Sequence, residues 1–70
     1  MTDRFRVWWD SDAVTWRVDV GVNGALPDAL GEADTFSHGC QIAAEHAGRP
    51  LGWSITLGKD KRPMSAESKG

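Results

Sequence analysis

Two stretches of alternating apolar and polar residues flank a short turn sequence, and they constrain the fold of this chain more than any other feature. Residues 4–10 read RFRVWWD, residues 14–22 read VTWRVDVGV, and DSDA at residues 10–13 links them. Alternation with a period of two in β-branched and aromatic residues is typical of strands, and Asp and Ser favour turns. The sequence therefore predicts a β-hairpin with one apolar face.

Closing this hairpin at DSDA gives a register in which core-facing residues pair only with each other. The predicted core pairs are Trp9 with Val14, Val7 with Trp16, and Phe5 with Val18. On the outer face the predicted pairs are Trp8 with Thr15, Arg6 with Arg17, and Arg4 with Asp19. Because successive side chains of a strand point to opposite faces, we expect Trp9 in the core and Trp8 on the outer face.

The segment after the hairpin is ambiguous. Asn23-Gly24 is a preferred turn pair, but Pro27 cannot donate a hydrogen bond to a sheet. We expect an irregular stretch over residues 26–30 and a short third strand around residues 31–33.

A helix is predicted next. Its small and apolar stripe comprises Phe36, Cys40, Ala43 and Ala47, with Gly39 and Ala44 beside it. Asp34 or Thr35 can cap the start of the helix. Gly48 favours a left-handed end, and Pro50 prevents the helix from resuming.

Residues 51–57 alternate again and predict the last strand, whose inward residues are Leu51, Trp53, Ile55 and Leu57. Residues 59–70 have no periodicity and few apolar groups, so we predict a flexible polar tail. The predicted fold class is α+β, with the order β-β-(β)-α-β in one domain over residues 1–58. A mainly antiparallel sheet carries one helix on one face, and its other face is open.

The chain has 70 residues and a single cysteine, Cys40, so an internal disulfide cannot stabilise it. A core of this size is marginal, which favours a homodimer. No stretch approaches the roughly 20 apolar residues that cross a bilayer, and the first residues do not resemble a signal peptide. We expect a cytoplasmic protein without membrane contact.

Charge is unevenly distributed along the chain, although the net charge is only −2. The acidic residues of the middle region, which contains Arg17 as its one basic residue, are Asp10, Asp12, Asp19, Asp28, Glu32 and Asp34. Such a block is either a solvated face or a match for a charged partner. The weak net charge argues against a general nucleic-acid binder, which is usually basic.

The residues that could carry chemistry do not converge. Positions 38 and 40 of a helix point about 200° apart, so His38 and Cys40 do not share a site, and Cys40 lies in the apolar stripe. Nucleotide, phosphate-binding and metalloprotease motifs are absent from the sequence. We expect a protein that is not an enzyme and that has no cofactor and no metal.

The open sheet face is the predicted partner-binding site, through Trp8, Arg4, Arg6 and Arg17. Trp and Arg are enriched among interface hot spots, and the expected Arg6–Arg17 pair would be destabilising. We add Ile42, which lies about 120° from the core stripe of the helix. Alternatively, the aromatic and basic groups only cover the sheet. They could also bind nucleic acid, with a basic extension along the tail.

Residues 26–47, LPDALGEADTFSHGCQIAAEHA, resemble the middle of the HicB-like antitoxin domain. The matching residues are Pro27, Asp28, Asp34, Thr35, Ala43 and Ala47. The chain also resembles a small bacterial domain family of unknown function with the same strand-strand-helix-strand order. It departs from the HicB pattern at Gly39 and Cys40 and lacks the DNA-binding segment of many such antitoxins.

This resemblance implies a sheet-and-helix module that dimerises and binds a small protein partner. We therefore expect a non-catalytic protein-binding or regulatory module that occludes or tethers its partner. An antitoxin-like protein, or a phage or accessory regulator, would fit this description.

Overall fold

A computed structural model describes residues 3–22 and 28–69, which form five strands and one helix. The elements are β1 (Asp3–Asp10), β2 (Thr15–Val22), β3 (Asp28–Ala33), α1 (Phe36–Ala47), β4 (Trp53–Leu57) and β5 (Pro63–Ser68). All strands pair antiparallel in one sheet, in the order β3-β2-β1-β5-β4. The α+β class with one helix on one face of the sheet is confirmed. The predicted turn at residues 23–24, like residues 26 and 27, lies outside the described residues.

The first hairpin forms, but its register differs from the prediction by two residues. Trp9 pairs with Trp16 and Val7 pairs with Val18, whereas Val14 lies in the turn. A shift of two residues keeps every side chain on its predicted face, since the side-chain period of a strand is also two. The faces are therefore as predicted, and the individual partners are not.

The turn explains the shift. The Oδ1 atom of Asp10 accepts hydrogen bonds from the backbone N–H groups of Asp12 and Ala13, at 3.0 and 3.2 Å. Val14 then takes a left-handed backbone conformation with φ of 54° and is 70% exposed. Residues 11–14 close the hairpin, so the loop has the predicted four residues but begins one residue later than the predicted loop of residues 10–13.

The third strand is longer than predicted and includes residues 28–30, which the sequence indicated as irregular. Its pairing with β2 shifts between Val18 and Asp19, because Val18 pairs with Gly31 and Asp19 with Ala29. Leu30 is thus the extra residue of a β-bulge, and it packs against the core. A bulge within a short strand is a structure that residue propensities alone do not predict.

The helix begins and ends at the predicted residues. The Thr35 side chain accepts a hydrogen bond from the backbone N–H of His38 at 3.1 Å. At the other end, Gly48 is left-handed with φ of 74°. Its N–H and that of Arg49 donate to the carbonyl of Ala44, at 2.9 and 3.3 Å. These bonds are those of a Schellman ending.

Close packing of the helix on the centre of the sheet forms the core. Gly39 and Ala43 are its buried positions. A Cβ atom added at Gly39 would lie 2.8 Å from Cγ1 of Val7 and 3.6 Å from Cγ2 of Val18. Both valines are fully buried. The absence of a side chain at residue 39 therefore sets how near the helix lies to β1 and β2.

Residues 63–68 form β5, so the predicted flexible tail over residues 59–70 is wrong. This strand lies inside the sheet, between β1 and β4. Ala66 pairs with Val7 and is 1% exposed. Ser68 is also buried, and its Oγ atom accepts the N–H of Phe5 at 2.8 Å. The buried residues of β5, Ala66 and Ser68, are small, which is why the apolar pattern in the sequence is weak.

The turn before β5 also lacks its usual sequence signal. Lys61 donates its N–H to the carbonyl of Gly58 at 3.0 Å, and Gly58 donates to the carbonyl of Arg62 at 2.9 Å. Lys61 has φ of 61°, a left-handed position where glycine or asparagine is the common residue. Because lysine is uncommon at this position, the turn residues in the sequence do not indicate the hairpin.

The helix covers only part of the sheet. Its contacts lie on β1, β2 and β3, while β5 and β4 extend beyond it. Trp53 packs against the core, but Ile55 and Leu57 are 49% and 55% exposed although the sequence predicted both as inward. They face the helix side as predicted, and no described element covers them. Within residues 3–22 and 28–69, no helix has the length and apolar character that crossing a membrane requires.

We predict that Gly39→Ala destabilises the protein. Alanine favours a helix by about 1 kcal/mol over glycine, but the overpacking against Val7 typically costs about 1–3 kcal/mol. Thermal unfolding should show a lower midpoint than wild type. Gly31→Ala is the matched control, because nothing lies within 4 Å of its added Cβ. A Gly39→Ala protein that melts at or above the wild-type temperature would contradict this packing.

We also predict that a chain ending at Arg62 does not fold. It lacks β5, so β4 loses its described neighbour in the sheet and Val7 loses Ala66. Circular dichroism and a proton NMR spectrum of the shortened chain measure this directly. A native-like spectrum with an unchanged melting temperature would contradict the role of β5 and support the prediction of a flexible tail.

Candidate functional site

The face of the sheet opposite the helix carries charged side chains and one tryptophan. Strand alternation and the register place Arg4, Arg6, Trp8, Asp10, Arg17, Asp19, Glu32 and Glu67 on this face. No described element packs over it, and we call it the open face. Four of the five predicted partner-binding residues therefore lie together: Trp8, Arg4, Arg6 and Arg17.

Trp8 is on the open face as predicted, but it is held by its neighbours. Its Nε1 atom donates a hydrogen bond to Oδ2 of Asp19 at 2.7 Å. The guanidinium of Arg6 lies 5.7 Å from the centre of the ring, within the range of a cation–π contact. Trp8 is consequently half-buried and its polar atom is satisfied.

Arg6 lies between two carboxylates, and its predicted pairing with Arg17 is wrong. The register places Asp19 opposite Arg6 on β2 and Glu67 opposite it on β5. These residues, with Arg4 and Gly21, line a depression of about 200 Å³. Opposite charges on neighbouring strands are stabilising. Repulsion between Arg6 and Arg17 therefore no longer argues that this face has a separate purpose.

Arg17 binds two carboxylates at the far end of the open face. Its Nε lies 2.6 Å from Oδ2 of Asp10, and its Nη1 lies 2.8 Å from Oε1 of Glu32. The hydrogen bond from Arg17 lowers the pKa of Asp10, and the turn N–H of Ala13 adds to this effect. Reciprocally, the hydrogen bond to Asp10 raises the pKa of Arg17. The guanidinium thus ties β1, β2 and β3 together.

The fifth predicted residue, Ile42, does not join this site. It is half-buried and packs against the core cluster of Phe5, Val7, Val18 and Ala43. The sequence placed it outside the core stripe. Because Gly39 and Ala43 bring the helix so near the sheet, the apolar stripe that contacts the sheet is wider than the sequence pattern indicates.

A second surface lies on the helix side of the sheet, where the helix does not reach. It consists of four large apolar side chains on β1, β4 and β5: Trp9, Ile55, Leu57 and Met64. They are 40%, 49%, 55% and 55% exposed, respectively. We call these four residues the uncovered apolar surface. The sequence predicted Trp9 in the core and Met64 in the tail, so it did not indicate this surface.

A groove of about 460 Å³ adjoins this surface. It is lined by Trp9, Trp16, Asp60, Arg62, Pro63 and Met64. An edge-to-face chain of aromatic rings supports its wall, with centroid distances of 5.4 Å from Trp9 to Trp16 and 5.2 Å from Trp16 to Phe36. Since Phe36 opens the helix, the orientation of Trp9 is linked to the core.

The alternation that predicted Trp9 as inward was correct about its face and gave no information about its coverage. A helix of 12 residues on a five-stranded sheet leaves some strands uncovered. Met64 was missed because β5 was missed. A clear strand pattern over residues 63–68 would have indicated Met64. Pro63 and the polar residues around it obscure that pattern in the sequence.

Cys40 is packed against the core, and burial raises the pKa of its thiol. A thiol of raised pKa is a poorer source of thiolate at neutral pH. Among the described residues, no three His, Cys, Asp or Glu side chains come together as metal ligands would.

Comparisons of this chain with protein-family models, with curated proteins and with solved structures return no match. The resemblance to HicB-like antitoxin domains stays a prediction.

We predict that Asp10→Asn lowers the melting temperature at neutral pH. The amide loses the ion pair with Arg17, while its oxygen can still accept the turn N–H bonds. The folded pKa of Asp10 lies below its ordinary value of 3.8. Its carboxylate therefore stabilises the fold above pH 3.8, and this stabilisation is lost as the pH falls through the lower folded pKa.

The measurement is the difference in melting temperature between wild type and Asp10→Asn over a pH series. The difference should be largest at neutral pH and should shrink below pH 3.8. A difference that stays constant as the solution is acidified would contradict the ion pair.

Proposed function

We propose that this protein is a non-catalytic protein-binding module that occludes or tethers a partner protein. The partner covers the uncovered apolar surface of Trp9, Ile55, Leu57 and Met64. The observation that carries the proposal is the exposure of four large apolar side chains side by side on neighbouring strands. Exposed apolar residues that are scattered need no explanation, whereas a contiguous group marks an interaction surface.

The surroundings of this surface support the proposal. Trp9 is an aromatic group fixed by Trp16, and rigid tryptophans are common hot spots. The groove beside it is also lined by Asp60 and Arg62, which form an ion pair at 3.5 Å. An apolar centre with a polar rim is the usual composition of a protein interface.

The open face is the other place where a protein partner could bind, as the sequence indicated. Several of its side chains already bond to one another, since Trp8 bonds to Asp19 and Arg17 bonds to Asp10 and Glu32. A partner there would compete with these contacts and gain little. On the uncovered apolar surface, a partner buries the exposed part of each side chain, at about 25 cal/mol per Å² of apolar area.

Nucleic-acid binding remains the alternative function. The Trp8 and Arg6 pair on a sheet face is the observation in its favour, because aromatic and basic groups on sheets stack bases and hold phosphates. Against it, carboxylates alternate with the arginines across this face. A gel shift at low salt, where phosphate contacts are strongest, distinguishes the two functions.

A homodimer and a cytoplasmic location also stay predictions. A second copy is one possible cover for the uncovered apolar surface. Sedimentation over a dilution series tests the dimer. An antitoxin-like, phage or accessory regulator remains the expected biological setting.

We predict that Met64→Ser greatly reduces binding of the partner without loss of stability. Met64 is exposed and lines the groove, so a polar group there disfavours burial at the interface. Surface substitutions of this kind change stability by about 0.5 kcal/mol or less. The immobilised wild type and variant would be exposed to a host lysate, and the retained proteins identified by mass spectrometry. Calorimetry with each purified candidate then measures a direct interaction.

Val14→Asn is the matched control for this experiment. Val14 is another exposed apolar residue, in the first turn and outside the groove. This control should bind the partner as wild type does. A partner that binds Met64→Ser normally and loses Trp8→Ala would move the site to the open face and contradict the proposal.

A further inference from the structure

We infer that the outer edge of β4 binds an extended segment of the partner, with acidic residues at both of its ends. This segment adds a strand to the sheet beside β4. The inference rests on the proposed function, and it names how the partner is held and what chemistry the partner must present.

The backbone of β4 is free to pair on its outer side. Gly52 accepts a hydrogen bond from the N–H of Lys69 at 2.9 Å, in register with the pairs of β4 and β5. Because antiparallel residues alternate between bonded and non-bonded pairs, the backbone groups of Ser54 and Thr56 point toward β5. Those of Trp53 and Ile55 point outward, where the described chain supplies no strand.

The two edges of the sheet differ in how they are protected. At the β3 edge the chain carries Asp28 and Glu32, both exposed, and a β-bulge at Leu30 in the interior of the strand. The pairing of β4 with β5 is irregular only between Thr56 and Leu57, at the end of β4. Charges and bulges are the usual devices that prevent an edge from pairing with another strand. The β4 sequence, WSITL, contains no charge, no glycine and no proline. Its apolar side chains, Ile55 and Leu57, are exposed beside that open edge.

Basic residues stand at both ends of β4. The turn after it, residues 58–62, contains Lys59, Lys61 and Arg62 against Asp60, a net charge of +2. At its start, Lys69 is hydrogen-bonded to Gly52, and Arg49 lies three residues before Gly52 in the chain. The edge is therefore neutral in the middle and positive at each end. A segment with an apolar centre and acidic ends complements this pattern.

Charge also favours such a segment over a second copy of the chain. If two β4 strands paired antiparallel, the basic turn of one copy would lie next to the basic start of β4 in the other. Like charges in contact are unfavourable for association. Self-association through β4 would overturn the inference.

An added strand would reach only part of the uncovered apolar surface. Neighbouring strands lie about 4.8 Å apart, so the new strand would contact Ile55 and Leu57. Met64 and Trp9 belong to β5 and β1 and lie about 10–14 Å from it by the same spacing. The body of the partner, rather than the extended segment, would cover Met64. Strand addition and apolar docking can thus be tested separately.

The probes for strand addition are two capped synthetic peptides with the same alternating Val and Thr core. One has two glutamates at each end, and the other has two lysines at each end. Titrations into the full chain, followed by amide NMR, should show the acidic peptide binding about tenfold tighter or more at low salt. The difference should shrink as salt screens the charges. Equal binding of both peptides, or no binding of the acidic one, overturns the inference.

A single methyl group tests the edge itself. The chain can be made by chemical ligation between Gly39 and Cys40, with the backbone nitrogen of Ile55 methylated. This change keeps every side chain and every bond to β5, and it blocks the outward N–H. The methylated protein should have the melting temperature of the unmodified protein but should no longer bind the acidic peptide. If it binds that peptide as the unmodified protein does, strand addition at β4 is wrong.

Met64→Ser separates this inference from the proposed function. This variant should still bind the acidic peptide but should no longer bind the intact partner protein. If Met64→Ser no longer binds the partner but the methylated protein binds it normally, the protein-binding function is supported and strand addition is refuted. Sedimentation that shows a dimer of the unmodified chain but not of the methylated chain would identify β4 as a self-pairing edge and refute the acidic segment.

Discussion

The close contact between the helix and the centre of the sheet is the constraint on which the rest of the structure depends. Gly39 has no side chain where a Cβ would lie 2.8 Å from Val7, and Ala43 is fully buried beside it. A helix held so near β1 and β2 brings Ile42 into the core. On its own face of the sheet, the helix packs on β1, β2 and β3 and leaves the exposed parts of β4 and β5 uncovered. The apolar surface beyond it therefore follows from how the core is packed.

Alternation in the sequence predicted the hairpin, the face of each side chain and the helix with its caps, because each of these depends on nearby residues. The register was wrong by two because Asp10 bonds to the turn and Val14 adopts a left-handed conformation. The tail was wrong because Lys61 stands at a left-handed turn position and β5 buries only small residues such as Ala66. The exposure of Trp9 depends on the reach of the helix, which no local pattern contains.

The two faces of the sheet differ in how many of their large side chains bond to one another within the chain. On the open face, Trp8 and Arg17 bond to carboxylates on neighbouring strands, and this network stabilises the sheet. On the helix side, Leu57 and Met64 have no polar function and no described element over them. Residue composition favoured the first face as the partner site, since Trp and Arg are frequent in interfaces. The contacts favour the second, because burial there breaks no existing interaction.

Residue-resolved amide hydrogen exchange, with and without the captured partner, tests the central claim most directly. In the free protein, the amides of Ser54 and Thr56 should be protected by β5, and those of Trp53 and Ile55 should exchange rapidly. In the complex, Trp53 and Ile55 should become protected as well. An unchanged exchange rate at both residues in a saturated complex would contradict the account of how this protein binds.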